Sequence, residues 1–127
     1  MNSKEVAKAA KELLQNFERY RHYAIKYDAT DMEQRLEKTR KETMDYFVKQ
    51  WILGILCNTL RTEECAKKLT AKNAESFKQI YPNIHSKKSH LIDDKSVAKR
   101  LGLSENTIKT KKKAIFKEII EMQNTSH

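Results

Sequence analysis

The stretch "DKSVAKRLGLSENTIKTKKKAIFKEI", residues 94–119, decides the reading of the chain. It contains one of only two glycines, and five lysines (Lys109, Lys111, Lys112, Lys113 and Lys117) within nine residues, directly after a turn and a cap. Three positions keep a demanding spacing. Ala98 is small enough for a second helix to cross the first. Gly102, four residues on, can take the positive φ that ends a helix. Ile108, six further, is the branched apolar residue the second helix needs on its inner side. Val97, Leu101 and Leu103 supply the flanking apolar contacts, and Ser104 can cap the second helix through its hydroxyl. The pattern predicts a helix-turn-helix unit.

At roughly 100° per residue, Ile115 and Ile119 fall beside Ile108 and continue the inner stripe. Asn106, Lys109, Thr110, Lys113 and Lys117 fall on the far side. Asn can read adenine edges, Lys can reach guanine or phosphate, and Thr can do either. The N-terminal part of such a helix enters the major groove, leaving later lysines for phosphates. The expected partner is double-stranded DNA. The candidate contact residues are Ser104, Glu105, Asn106, Thr107, Lys109, Thr110, Lys112, Lys113 and Lys117.

These residues resemble the helix-turn-helix shared by sigma-factor region 4 and LuxR-type regulators. They are also similar to the C-terminal unit of the RinA/ArpU-type phage regulators of late genes. The match covers about the last third of the chain. It implies transcriptional control at promoter DNA and, in the sigma-like case, contact with RNA polymerase. One position departs from the pattern. Lys111 stands where these families often place an apolar residue, so it is expected to pack through its aliphatic stem.

The rest of the 127 residues reads as all-α. Two glycines and one proline are too few for the turns of a β fold, while good helix formers are plentiful. Residues 3–27 form a first helix, capped by Ser3, with Val6, Ala10, Leu13, Phe17, Tyr20, Ala24 and Tyr27 at heptad spacing. "DATD", residues 28–31, is a turn and cap. A second helix is predicted from Asp31 to Asn58 or Thr59, with a thin apolar side at Met32, Leu36, Thr39, Thr43 and Met44. Its end (Tyr46, Phe47, Val48, Trp51, Ile52, Leu53, Ile55, Leu56) is apolar all round and so should be buried all round. Gly54 marks either a close helix approach or a break.

A short helix capped by Thr62 and another carrying Ala74, Phe77, Ile80 and Tyr81, ended by Pro82, come next. "TEECAKKLTAKNAESF", residues 62–77, mimics a second helix-turn-helix, but its inner position holds Ser76, so it reads as ordinary packing helices. "NIHSKKSH", residues 83–90, is a polar loop. The division expected is residues 1–60 as a helical dimerisation or partner-docking region and residues 61–127 as the DNA-binding domain.

The net charge is +9, and its excess lies late in the chain: residues 86–127 hold ten basic and five acidic side chains. A basic excess of this kind suits a polyanion. Enzyme chemistry has no support, since no phosphate loop, nucleophile elbow or HExxH is present. No cofactor is implied. Cys57, Cys65, His85 and His90 could be imagined around zinc, but the cysteines lack ligand spacing and read as buried free thiols. The longest apolar run is too short to span a bilayer, and a charged, amphipathic N-terminus argues against a signal peptide. The expectation is a cytoplasmic, non-enzymatic regulator with no membrane partner. The alternatives are a small terminase-like packaging or replication adaptor, and an interaction module such as an anti-sigma protein.

Overall fold

The computed structural model describes residues 3–26, 30–82 and 91–125, and among these it contains six α-helices and no strand. They are α1 (Ser3–Lys26), α2 (Thr30–Ile52), α3 (Thr62–Ala66), α4 (Ala71–Ile80), α5 (Asp94–Leu101) and α6 (Glu105–Thr125). The chain is all-α. The side chains of Ser3 and Ala24, the residues Tyr27, Asp28 and Ala29, and the 83–90 loop with His85 and His90 lie outside this description.

α1 and α2 form an antiparallel hairpin held at its turn end by Arg21 Nε and Glu33 Oε1, 3.5 Å apart. The expected heptad stripe on α1 is covered only at its start, where Val6 packs against the core and Ala10 is buried. Ala7 and Ala10 are buried and Leu14 packs against the core, whereas Leu13 and Tyr20 are exposed. The small alanines let α1 lie close to its neighbours. That approach determines which side of the helix is covered.

The core crosses residue 60. Trp51 of α2 meets Phe77 of α4 edge-on with ring centroids 5.4 Å apart, and Phe47 meets Phe116 of α6 in the same way at 5.0 Å. Such edge-to-face pairs add about 0.5–1.5 kcal/mol beyond the area they bury. Phe47, Val48, Trp51 and Ile52 are all buried, as their apolar surroundings predict. Tyr46, Leu53 and Ile55 are not: each is at least 45% exposed.

Tyr46 lies on the outer side of α2, and Leu53 and Ile55 fall past its end, because α2 stops at Ile52 and not at residue 58 or 59. Gly54 takes φ +106°, and Asn58 and Thr59 take φ of 52° and 65°. The backbone folds back so that Thr59 N donates to Gly54 O at 3.3 Å. Of the two readings of Gly54, the break is the one observed. α3 also starts differently. Thr62 is buried and does not cap the helix; the Glu64 carboxylate accepts from Arg61 N at 2.6 Å.

α5 and α6 meet as the local spacing predicts. The Asp93 carboxylate caps α5 by accepting from Ser96 N at 3.0 Å. Gly102 ends it in the left-handed region at φ +68°, and Leu103 N donates back to Ala98 O at 3.0 Å. Ser104 Oγ accepts from Thr107 N at 3.2 Å and so caps α6. Val97, Ala98, Ile108, Ile115 and Ile119 are buried. Leu103 is not the flanking contact expected of it: it is 39% exposed, because the left-handed turn at Gly102 carries it outward. No described helix is long and apolar enough to cross a membrane.

The two glycines predict different costs on substitution. A Cβ on Gly54 would lie 2.4 Å from Thr59 Cα and N, whereas one on Gly102 would meet nothing within 4 Å. Gly102→Ala carries dihedral strain alone and should lose about 1 kcal/mol in urea unfolding. Gly54→Ala should lose more, about 2–3 kcal/mol. Equal losses would remove the close approach as the reason α2 ends where it does.

Candidate nucleic-acid interface

The exposed side of α6 presents Asn106, Thr110, Lys113 and Lys117. It runs between two walls. α4 lies along one side, where Asn73 Nδ2 donates to Glu118 Oε2 at 2.6 Å and Lys111 Nζ donates to Ser76 Oγ at 3.4 Å. The α1–α2 hairpin lies along the other, where Lys109 Nζ sits 3.5 Å from Glu37 Oε1 and Phe116 packs on Phe47. Ser104 and Glu105 are exposed at the start of the helix, and Thr107 is half-buried with its hydroxyl 2.8 Å from that of Ser104.

Lys112 is the correction among the candidate contacts. Its side chain is 3% exposed, and its ammonium lies 2.9 Å from both Asp45 Oδ2 of α2 and Asp94 Oδ1 of α5, while also donating to Ile92 O. It cannot reach a duplex. On the helical wheel it falls between the inner stripe and the α2 wall, and two carboxylates remote in sequence make burial of its charge tolerable. Lys41 Nζ adds a second cation 3.1 Å from Asp94 Oδ2. The Tyr81 hydroxyl donates to Asp45 Oδ1 at 2.9 Å.

The charges within this cluster respond differently to their surroundings. Burial pushes the Asp45 carboxyl up, and the Lys112 ammonium only partly offsets it. Burial also acts on Asp94, but there the hydrogen bonds and charges of Lys112 and Lys41 outweigh it and hold the carboxyl below its ordinary value. Burial and the neighbouring Asp45 charge raise the Tyr81 phenol. At the wall, the Arg40 guanidinium hydrogen-bonds Glu37 and, against some burial, brings its carboxyl from 4.5 to about 2. Lys113 has its ammonium held below the usual value by partial burial and by the nearby Arg40 charge.

Lys109 is thus partly committed to Glu37, whereas Asn106, Thr110, Lys113 and Lys117 are exposed, with the Thr110 hydroxyl donating to Asn106 O at 3.0 Å and Lys113 lying partly against the hairpin beside Arg40. Sequence reasoning missed Arg40, which is buried, and Ser76, which is buried as a polar residue because its hydroxyl donates to Lys72 O at 3.3 Å and accepts from Lys111. Lys111 does lie partly buried along its stem, as expected at an otherwise apolar position. Cys57 and Cys65 are buried free thiols. Among the described residues there is no cluster of three His, Cys, Asp or Glu side chains that could hold a metal. Comparison with protein-family models, with curated proteins and with solved structures finds no match for this chain.

Two outcomes follow from the carboxylates. Lys112→Met keeps the stem and removes the cation between Asp45 and Asp94, and should lower unfolding stability by about 3 kcal/mol. A loss under 1 kcal/mol would mean the cluster is not what holds α2, α5 and α6 together. Glu37, with its pKa depressed from 4.5 to about 2, contributes stability that is complete above pH 4.5 and disappears as the pH falls toward 2. A thermal-melt series from pH 6 to pH 2 should show an acid limb that Glu37→Gln makes shallower; an unchanged limb would contradict that assignment.

Proposed function

We propose that the chain is a DNA-binding regulator of transcription. In this reading α5 and α6 act as a helix-turn-helix, with the exposed side of α6 entering the major groove. The observation that carries it is the open face formed by Asn106, Thr110, Lys113 and Lys117 on a helix whose start is fixed by Gly102 and Ser104. Asn106 lies in the first turn, where base edges are within reach, and the lysines follow where a duplex would bring its phosphates. The net charge of +9 supplies sequence-independent attraction.

The same reading assigns the α1–α2 hairpin to self-association, with Leu13 and Tyr20 exposed seven residues apart on one side of α1. Promoter action in the cytoplasm, and contact with RNA polymerase, follow from the sigma-like resemblance of residues 94–119. A second reading is favoured by one observation. Lys109 and Lys112 are engaged by carboxylates of the same chain, as in a packed module that contacts protein and not DNA.

Fluorescence anisotropy with duplex DNA at several salt concentrations separates the two. On the DNA reading, Lys113→Ala weakens binding to every sequence and lowers the log–log salt slope by about 0.9. Asn106→Ala instead reduces discrimination between a selected site and random duplex by about 1–3 kcal/mol. Absence of binding at low salt would leave the interaction module as the function. Equal losses by both variants on both duplexes would abolish the division of roles along α6.

A further inference from the structure

The two walls beside the open face of α6 differ in charge. On the hairpin wall Glu37 pairs with Arg40 and Lys109, so the cations there are already engaged. The α4 wall bounds a groove of about 380 Å³, and none of the described residues lining it is acidic. Lys72, Asn73 and Ser76 contribute from α4, and Thr107, Thr110 and Lys111 from α6. Asn106 also reaches it, so the groove opens directly off the face assigned to base edges.

Its floor is a polar relay. Ser76, 5% exposed, donates to Lys72 O at 3.3 Å and lies 3.4 Å from Lys111 Nζ. The hydroxyl therefore holds the Lys111 ammonium in place at the groove. Glu118 is not among the lining residues: it accepts from the neutral donors Thr70 N at 2.7 Å, Thr70 Oγ1 at 3.3 Å and Asn73 Nδ2 at 2.6 Å. Two lysines and no lining carboxylate match a phosphodiester; the Thr110 hydroxyl is already donating to Asn106 O at 3.0 Å, and that of Thr107 shares a hydrogen bond with Ser104 Oγ.

We infer that the α4–α6 groove is a backbone-phosphate site for one DNA strand, held by Lys72 and Lys111, while the side chains of α6 face the bases. A helix lying in a major groove of about 12 Å has a sugar-phosphate chain on either flank. Here the α4 groove is lined by two lysines and no carboxylate, whereas Arg40 and Lys109 on the hairpin flank are already paired with Glu37, so one strand is gripped more firmly than the other. This rests on the DNA-binding reading and adds α4 to the interface. It also gives Lys111 a second role besides packing its stem.

The test uses the full chain and random duplex, with binding measured from low to moderate salt. Lys72 is exposed, so Lys72→Gln leaves the fold intact; Lys111→Met keeps the packed stem and removes the charge. Each phosphate contact contributes about 0.9 to the log–log slope. Lys72→Gln should therefore lower the slope by about 0.9 and the double variant by about 1.8, with selectivity for a preferred site unchanged. Wild-type slope in both, alongside a reduced slope in Lys113→Ala, would overturn the groove assignment and leave α6 as the binder. No duplex binding by the wild-type chain would remove both readings.

Discussion

One ammonium fixes the arrangement of three helices. Lys112 sits with its charge almost out of water, between Asp45 of α2 and Asp94 of α5. Stripping an ion of water costs several kcal/mol, and only close opposite charges return it. The two carboxylates must therefore be within reach of the same atom, which fixes where α2 and α5 lie against α6. A wholly apolar cluster of the same size could be as stable. The ionic one is more selective, because any other packing of the helices would strand a charge.

The lysine block of α6 is consequently three things at once. Lys112 belongs to the interior. Lys109 and Lys111 lie at the walls, engaged by Glu37 and Ser76. Lys113 and Lys117 face outward. Net charge overstates what such a helix can offer a polyanion, since a cation already facing a carboxylate releases little on meeting a phosphate. What a polyanion meets is set by which of the lysines have open surroundings and not by how many there are.

What could be read from the sequence was what is decided within a few residues. The all-α class, the ends of α5, the cap of α6 and the buried series Ile108, Ile115, Ile119 depend on neighbours at most one or two turns away. The end of α2 was open to two readings because Gly54 matters through its approach to Thr59, a backbone contact with no side-chain signature. Ser76 looked wrong for an interior position, yet its partner Lys111 stands 35 residues later. The burial of Lys112 depends on Asp45, 67 residues earlier, and no periodicity reports such a pairing. At the candidate interface, the exposed set was visible on a helical wheel, and the walls flanking it were not.

Gly102 has open space around the position a Cβ would occupy, so only its left-handed φ, and no close neighbour, calls for a glycine there. The turn between α5 and α6 is set by a local dihedral and a serine cap, and the ion cluster of Lys112 with Asp94 and with Asp45 of the hairpin then locks the angle between them. The joint and its lock are therefore distinct parts. Natural variation could rebuild the exposed sides of α1 and α2, changing what the chain assembles with, while α6 keeps the same aim for as long as Asp45 and Phe47 are retained.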